Sequence, residues 1–184
     1  MKNQILAKRY AKALFEFALE NKAEEQVLTD LRLLAKVLDE NKELRLLLLN
    51  PVIPALRKQR IFDQIFQKQI NPITHAFLNI LIRKGRGHEV VGIATQYHEY
   101  YLESRNQVEV ELSTAQTVNK ELQQRILNLI HGLTEKEILV NNVIDPQLIG
   151  GFKVRLGDYL LDASVRKTLE RMQAEFEKNL YIYK

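Results

Sequence analysis

The sequence contains no cysteine. That excludes a disulfide framework, a thiolate metal site and a cysteine nucleophile, and it is compatible with a reducing compartment. Long apolar runs are also missing. The longest is Leu46–Leu49, whereas a membrane helix needs roughly 20 apolar residues. No crossing is expected, and any membrane association should run through partners. No signal peptide is expected either, because Lys8, Arg9 and Lys12 interrupt the place where its apolar region would lie. The four prolines and seven glycines are few enough that most can be read as boundaries. What remains is ordinary globular material, 46% hydrophobic and 27% charged over 184 residues. That is enough for one medium domain or two small ones.

The net charge of +4 is unevenly spread. Residues 1–105 carry 17 basic and 12 acidic side chains, and residues 106–184 carry 10 and 11. Two basic clusters, Arg57-Lys58-Gln59-Arg60 and Arg83-Lys84-Gly85-Arg86, lie in the first part. A basic helical nucleic-acid-binding module is therefore one reading. Against it, no aromatic residues interleave with the charges, and the second cluster sits where a helix C-terminus favours cations anyway.

Residues 1–105 carry the period of amphipathic helices. Ile5, Leu6, Tyr10, Ala13, Leu14, Phe17 and Ala18 recur at three- and four-residue spacing, as do Val27, Leu28, Leu31, Leu34, Ala35 and Leu38. A short helix over 43–49 should stop at Asn50-Pro51, since a residue before proline leaves the α region. Pro54 suits the first turn of the next helix, which carries Ile61, Phe62, Ile65 and Phe66. Asn71-Pro72 reads as N-cap and first helical residue. The helix it opens carries Phe77, Leu78, Ile80, Leu81 and Ile82, and ends at Gly85 and Gly87. A sixth helix is expected from about His88 to Arg105.

The period then changes. Val108–Ser113 alternates as a half-buried strand does. A helix is expected over Val118–Leu133, a strand around Ile138 and Val140, a turn at Asp145-Pro146 and another at Gly150-Gly151. Phe152–Leu156 alternates again and should end at Gly157-Asp158. Asp162 or Ser164 should cap a last helix carrying Val165, Leu169, Met172 and Phe176. The fold expected is α+β: an all-α six-helix bundle over 1–105, then a small α/β domain of about three strands and two helices over 106–184.

No chemistry-bearing constellation emerges. Gly150-Gly151-Phe152-Lys153 lacks the phosphate-loop pattern and reads as a bulge or tight turn. Histidines 75, 88, 98 and 131 are scattered, and no His/Asp/Glu spacing matches a zinc site. Asp145, Asp158 and Asp162 sit at expected turns or caps. No serine lies in a nucleophile elbow. The residues by themselves describe a two-domain scaffold with no catalytic, metal or cofactor site.

Several segments in order resemble one family. They are Ala7-Lys8-Arg9-Tyr10-Ala11-Lys12-Ala13-Leu14-Phe15; Leu49-Asn50-Pro51-Val52-Ile53 with Lys58 and Ile61; Phe77-Leu78 through Gly85-Arg86; Val108-Glu109-Val110 with Thr114-Ala115; and Asp145-Pro146, Leu148-Ile149-Gly150-Gly151, Val154, Gly157, Asp162, Ser164-Val165-Arg166 and Leu169. Together they resemble the δ/oligomycin-sensitivity-conferring family of the F-type ATP synthase. The Tyr181-Ile182-Tyr183 tail has no counterpart in that pattern.

The resemblance implies a stator subunit without an active site or cofactor, on the cytoplasmic face of the plasma membrane or the stromal face of a thylakoid. Its first domain would hold the N-terminal helix of an α subunit between helices one and five. Its second would hold the b-type stalk, on an apolar patch near the last helix. No nucleic acid or small-molecule substrate is implied. Groove candidates are Tyr10, Ala13, Leu14, Phe17, Phe77, Ile80, Leu81 and Lys84, each with bundle core as its competing role. Asn50, Pro51, Gly85, Asp145, Gly150, Gly151, Asp162 and Ser164 are expected to shape turns and caps.

Overall fold

The computed structural model describes residues 2–116, 132, 136–157 and 159–180. The helix expected over Val118–Leu133, together with His131, Asp158 and the Tyr181–Tyr183 tail, lies outside the described residues. The chain divides into two compact units, Met1–Ser104 and Arg105–Lys184.

The first unit is all helical: α1 (Lys2–Glu20), α2 (Glu24–Glu40), α3 (Lys42–Leu49), α4 (Ala55–Phe66), α5 (Pro72–Arg83), a 3-10 turn (Gly87–Glu89) and α6 (Val90–Ser104). Small residues set its central contact. Ala7, Ala11 and Ala18 are buried along one side of α1, and a Cβ built on Gly92 of α6 would lie 3.5 Å from that of Ala7. Phe15 fills the far end of this seam, edge-on to Tyr97 with centroids 5.5 Å apart. Tyr97 is fully buried, and its hydroxyl donates to the Glu24 carbonyl at 3.0 Å. Burial chiefly, with the Glu24 charge adding, pushes its pKa well above the usual phenol value.

Local chemistry fixes the helix ends. Asn50 follows α3 with extended backbone, and its Oδ1 accepts from the Val52 N–H across Pro51. Pro54 is the residue before α4, one position earlier than a first-turn proline. Asn71 caps α5 by accepting from the Ile73 N–H. Asp30 on α2 is buried beneath that cap. One of its oxygens accepts from the Asn71 N–H and from the Thr74 hydroxyl, each at 2.7 Å. At the other end of α5, Gly85 has φ +67°. Its N–H reaches the Ile82 carbonyl, and the Arg86 N–H reaches that of Leu81. These paired bonds form a Schellman motif, whose left-handed position glycine occupies without strain.

The second unit contains β1 (Gln107–Thr114), β2 (Glu137–Ile144), a 3-10 turn (Pro146–Leu148), β3 (Gly151–Leu156), β4 (Tyr159–Ser164) and α7 (Val165–Leu180). The sheet order is β2-β1-β3-β4. β1 and β2 are parallel, while β1–β3 and β3–β4 are antiparallel. The register puts Val110, Leu112, Val140, Val154, Leu156 and Leu161 on one face. The fold is α+β, with one correction. Gly157 does not close the last strand; it lies in a hairpin that leads into β4. Adjacent Leu160 and Leu161 break the alternation that marks a strand, so the segment read as an approach to a helix cap.

Candidate functional site

Two helical stripes of the first unit stay partly open. On α1 they are Leu6, Tyr10, Ala13 and Phe17, spaced by four, three and four residues. On α5 they are Ile73, Phe77 and Ile80, continued by Lys84 just past the helix end, with the same spacing. Tyr10 and Phe77 are half-buried and meet edge-to-face, with centroids 6.3 Å apart and planes at 69°. Ala13 is exposed, Phe17 is 52% exposed and Ile80 is 46% exposed. Large apolar side chains this open, flanking a shared aromatic contact, make a shallow hydrophobic track between two helices. Arg83 and Lys84 stand exposed at its α5 end, where they line a shallow hollow with Ile80.

Leu14 and Leu81 are 3% and 0% exposed and belong to the bundle core. They support the track from beneath and are closed to a partner. Each apolar stripe position is followed by a buried residue, Ala7, Ala11, Leu14 and Ala18 on α1 and Thr74, Leu78 and Leu81 on α5, so the sequence pattern offered both sets together. Leu6, Ile73 and Arg83 were not among the groove candidates read from the sequence. The signal for Leu6 and Ile73 was the same spacing that selects Tyr10 and Phe77, and for Arg83 its place in the basic cluster beside Lys84.

The first basic cluster is split, with Arg57 and Arg60 exposed and Lys58 turned inward. Lys58 is only 7% exposed, and its ammonium donates to the Leu48 carbonyl at 2.9 Å. It ties α4 to the end of α3, next to the Asn50-Pro51 turn.

His75 binds across to α4. Its Nε2 lies 2.6 Å from Asp63 Oδ1, with Asn79 beside both groups. The arrangement joins α4 to α5 behind the track. Among the described residues no group of three or more His, Asp or Glu is close enough to hold a metal ion. No described helix is long and apolar enough to cross a membrane.

In the second unit the expected turn residues organise the entry to α7. Asp145 accepts from the Gln147 N–H. Gly151 has φ +76°, and a Cβ there would collide with the Ala163 carbonyl. Gly150 has no positive φ; a Cβ there would meet Val165 Cγ2 at 3.1 Å. The conformational need for glycine is therefore at Gly151, and at Gly150 the limit is space.

Ser164 is buried, and its Oγ accepts from the Lys167 N–H as the α7 N-cap. Asp162 in turn accepts from the Ser164 N–H at 3.0 Å. Hydrogen bonding from the Ser164 hydroxyl first, then from its N–H, with smaller help from Lys153 and Lys167, holds the Asp162 carboxyl below its usual pKa. Beyond this capped start, Val165, Leu169, Met172 and Phe176 are 41%, 53%, 49% and 68% exposed.

Comparison with known proteins agrees with this architecture along the chain. The ATP synthase delta (OSCP) subunit family matches residues 6–176. An ATP synthase subunit delta from Moorella thermoacetica is 35% identical over 170 residues, covering 92% of this chain and 95% of that protein. One from Christiangramia forsetii is 34% identical over 184 residues, with both chains covered in full. A chain in the cryo-EM structure of the Toxoplasma gondii mitochondrial ATP synthase hexamer has the same fold, with a TM-score of 0.69 at 23% identity over 93% of this chain and 97% of that one. With the helical bundle, the small mixed sheet and the sequence match all in register, the chain belongs to the ATP synthase delta (OSCP) subunit family.

Proposed function

We propose that this chain is the non-catalytic connector of a rotary proton-translocating ATP synthase. Residues 1–105 hold the N-terminal helix of an α subunit in the track between α1 and α5. Residues 106–184 hold the b-type peripheral stalk. The catalytic head is thereby anchored against rotor torque at the cytoplasmic face of the plasma membrane, or the stromal face of a thylakoid. Attachment to the membrane is indirect, through the complex.

The observation that carries the reading is the pair of open stripes meeting at Tyr10 and Phe77. An amphipathic helix binds by laying apolar anchors at helical spacing into such a track. Exposed Ala13 leaves room for close approach. Arg83 and Lys84 would steer an acidic segment, affecting association rate more than affinity.

Calorimetric titration of the full chain with a synthetic peptide from the N-terminus of the same organism's α subunit tests this. One-to-one binding that survives high salt is expected. Tyr10→Asp combined with Ile80→Asp should abolish it while the helical unfolding transition stays in place. Unchanged affinity in that folded variant would remove the track from the mechanism. Steep, uniform loss of affinity with salt would instead point to phosphate-type binding.

A further inference from the structure

We propose that Glu89 receives a cationic side chain, lysine or arginine, from the segment that occupies the track, in a hollow between the start of α1 and the start of α6. This contact rests on the track reading and adds to it a charged pair that fixes the segment's register. Among the described residues, Glu89 Oε1 is the one buried side-chain oxygen or nitrogen without a hydrogen-bond partner. Glu89 is 6% exposed. It ends the 3-10 turn that leads into α6, where the helix dipole favours a carboxylate. The dipole accounts for a negative charge at that place and leaves the missing donor unexplained. His88 Nε2 comes within 3.2 Å of the same oxygen, without the alignment of a hydrogen bond. A buried oxygen left in this way costs free energy that an arriving donor recovers.

The hollow selects the donor. It is lined by Gln4 and Ala7 of α1 and by Glu89, Gly92, Thr95 and Gln96. Its volume is about 270 Å³, below the usual range of small-molecule sites, so it takes the end of a side chain and not a cofactor. A carboxylate among amide and hydroxyl oxygens suits an ammonium or guanidinium, which only donates. The track's Leu6 stands in the sequence between Gln4 and Ala7, so track and hollow share the first two turns of α1. A segment running along the track to the start of α1 meets the hollow there. Residues 1–105 carry 17 basic against 12 acidic side chains. A basic residue on the partner is therefore disfavoured over most of this unit and favoured at Glu89, which is how charge sets register.

Calorimetry on the full chain tests this with the acetylated α-subunit peptide and versions of it in which each lysine or arginine is replaced in turn by glutamine. One replacement should weaken binding about tenfold, as loss of a charged hydrogen bond does. Glu89→Gln should weaken binding of the unmodified peptide equally, and the two changes together should do no more than either alone. The melting temperature of Glu89→Gln should be unchanged or raised, because a neutral amide is easier to bury than a carboxylate.

Full affinity in Glu89→Gln, or effects that add at every basic position of the peptide, would overturn the contact and leave the track reading intact. So would a bound segment containing no lysine or arginine. A peptide that fails to bind the wild-type chain would remove the track reading and this contact with it. Full affinity together with a lower melting temperature would assign Glu89 to its neighbour His88. If Lys2→Gln lowered the melting temperature of the wild type and not of Glu89→Gln, the cation would come from this chain itself, which also overturns the proposal.

Discussion

The two units handle apolar residues in opposite ways. The helical unit closes around a continuous core from Ala7 to Tyr97, and among the described residues its openings are short stripes and rims. Among the described residues the sheet unit's core cluster has three buried members, Val110, Leu112 and Val154, with Ile138, Val140, Phe152 and Leu156 packed partly against them. Much of its remaining apolar side-chain surface faces outward, on β4 at Tyr159, Leu160 and Leu161 and along α7. A domain that satisfies itself can offer a shallow docking track without losing stability. Where apolar faces stay open, a partner that covers them binds only the folded state, so binding and folding free energy are coupled.

Substitutions can break this comparison, beginning with the largest effect. Gly151→Val forces a branched residue to φ +76° and against the Ala163 carbonyl. It should cost at least about 3 kcal/mol and unfold the sheet unit, leaving the helical unit's circular dichroism and melting in place. Gly150→Val meets only the Val165 side chain and should cost about 1–3 kcal/mol. If Gly150→Val proved the worse of the two, the backbone argument at Gly151 would be wrong.

Within the helical unit, Leu81→Ala should cost about 2–5 kcal/mol of stability, while neighbouring Ile80→Ala should lose α-peptide affinity with little change in melting. Equal melting shifts for the pair would erase the distinction between core and track. Asp30→Ala strands the Asn71 N–H and the Thr74 hydroxyl. A loss of about 1–3 kcal/mol is expected, read as a lower denaturant midpoint with unchanged slope.

Smaller effects sharpen the picture of α7. Ser164→Ala removes its N-cap and should cost about 1 kcal/mol. Asp162 has a folded pKa below its unfolded one. The stabilisation it gives is therefore complete above the unfolded carboxylate value, about 3.9, and is lost as pH falls below that through the folded value. Acid titration of sheet-unit unfolding should show this loss in the wild type and not in Asp162→Asn. A difference between the two proteins that persists unchanged to the lowest pH would show that the carboxylate's charge is not what matters.

The helices of the first unit were legible because 3.6-residue periodicity is written in which side chains are apolar, and proline, asparagine and glycine mark the ends. Asn71 as N-cap and Gly85 as terminator are local choices, made by groups within a few residues of each other. β4 escaped because Leu160-Leu161 does not alternate and Asp162 and Ser164 resemble a cap. Ser164 does cap α7, and Asp162 holds the serine in place, so one strand end carries both signals.

Of the proposed track, the stripe positions could be read from spacing, but their division into open Ile80 and closed Leu81 could not. Lys58 shows the same limit. Lysine is ordinarily a surface residue, and nothing local announces that its ammonium ends buried on the Leu48 carbonyl, ten residues back.

The sequence by itself determined the helical and strand periods, the capping residues, the uneven charge and the absence of thiol chemistry. These depend on residue type and on neighbours a turn away. Only the tertiary structure decided the strand order β2-β1-β3-β4, the Asp30 anchor under α5, the His75–Asp63 link and which side of each amphipathic helix stays open. Those depend on segments from 12 to more than 40 residues apart meeting in space, and on which apolar faces find a cover within the chain.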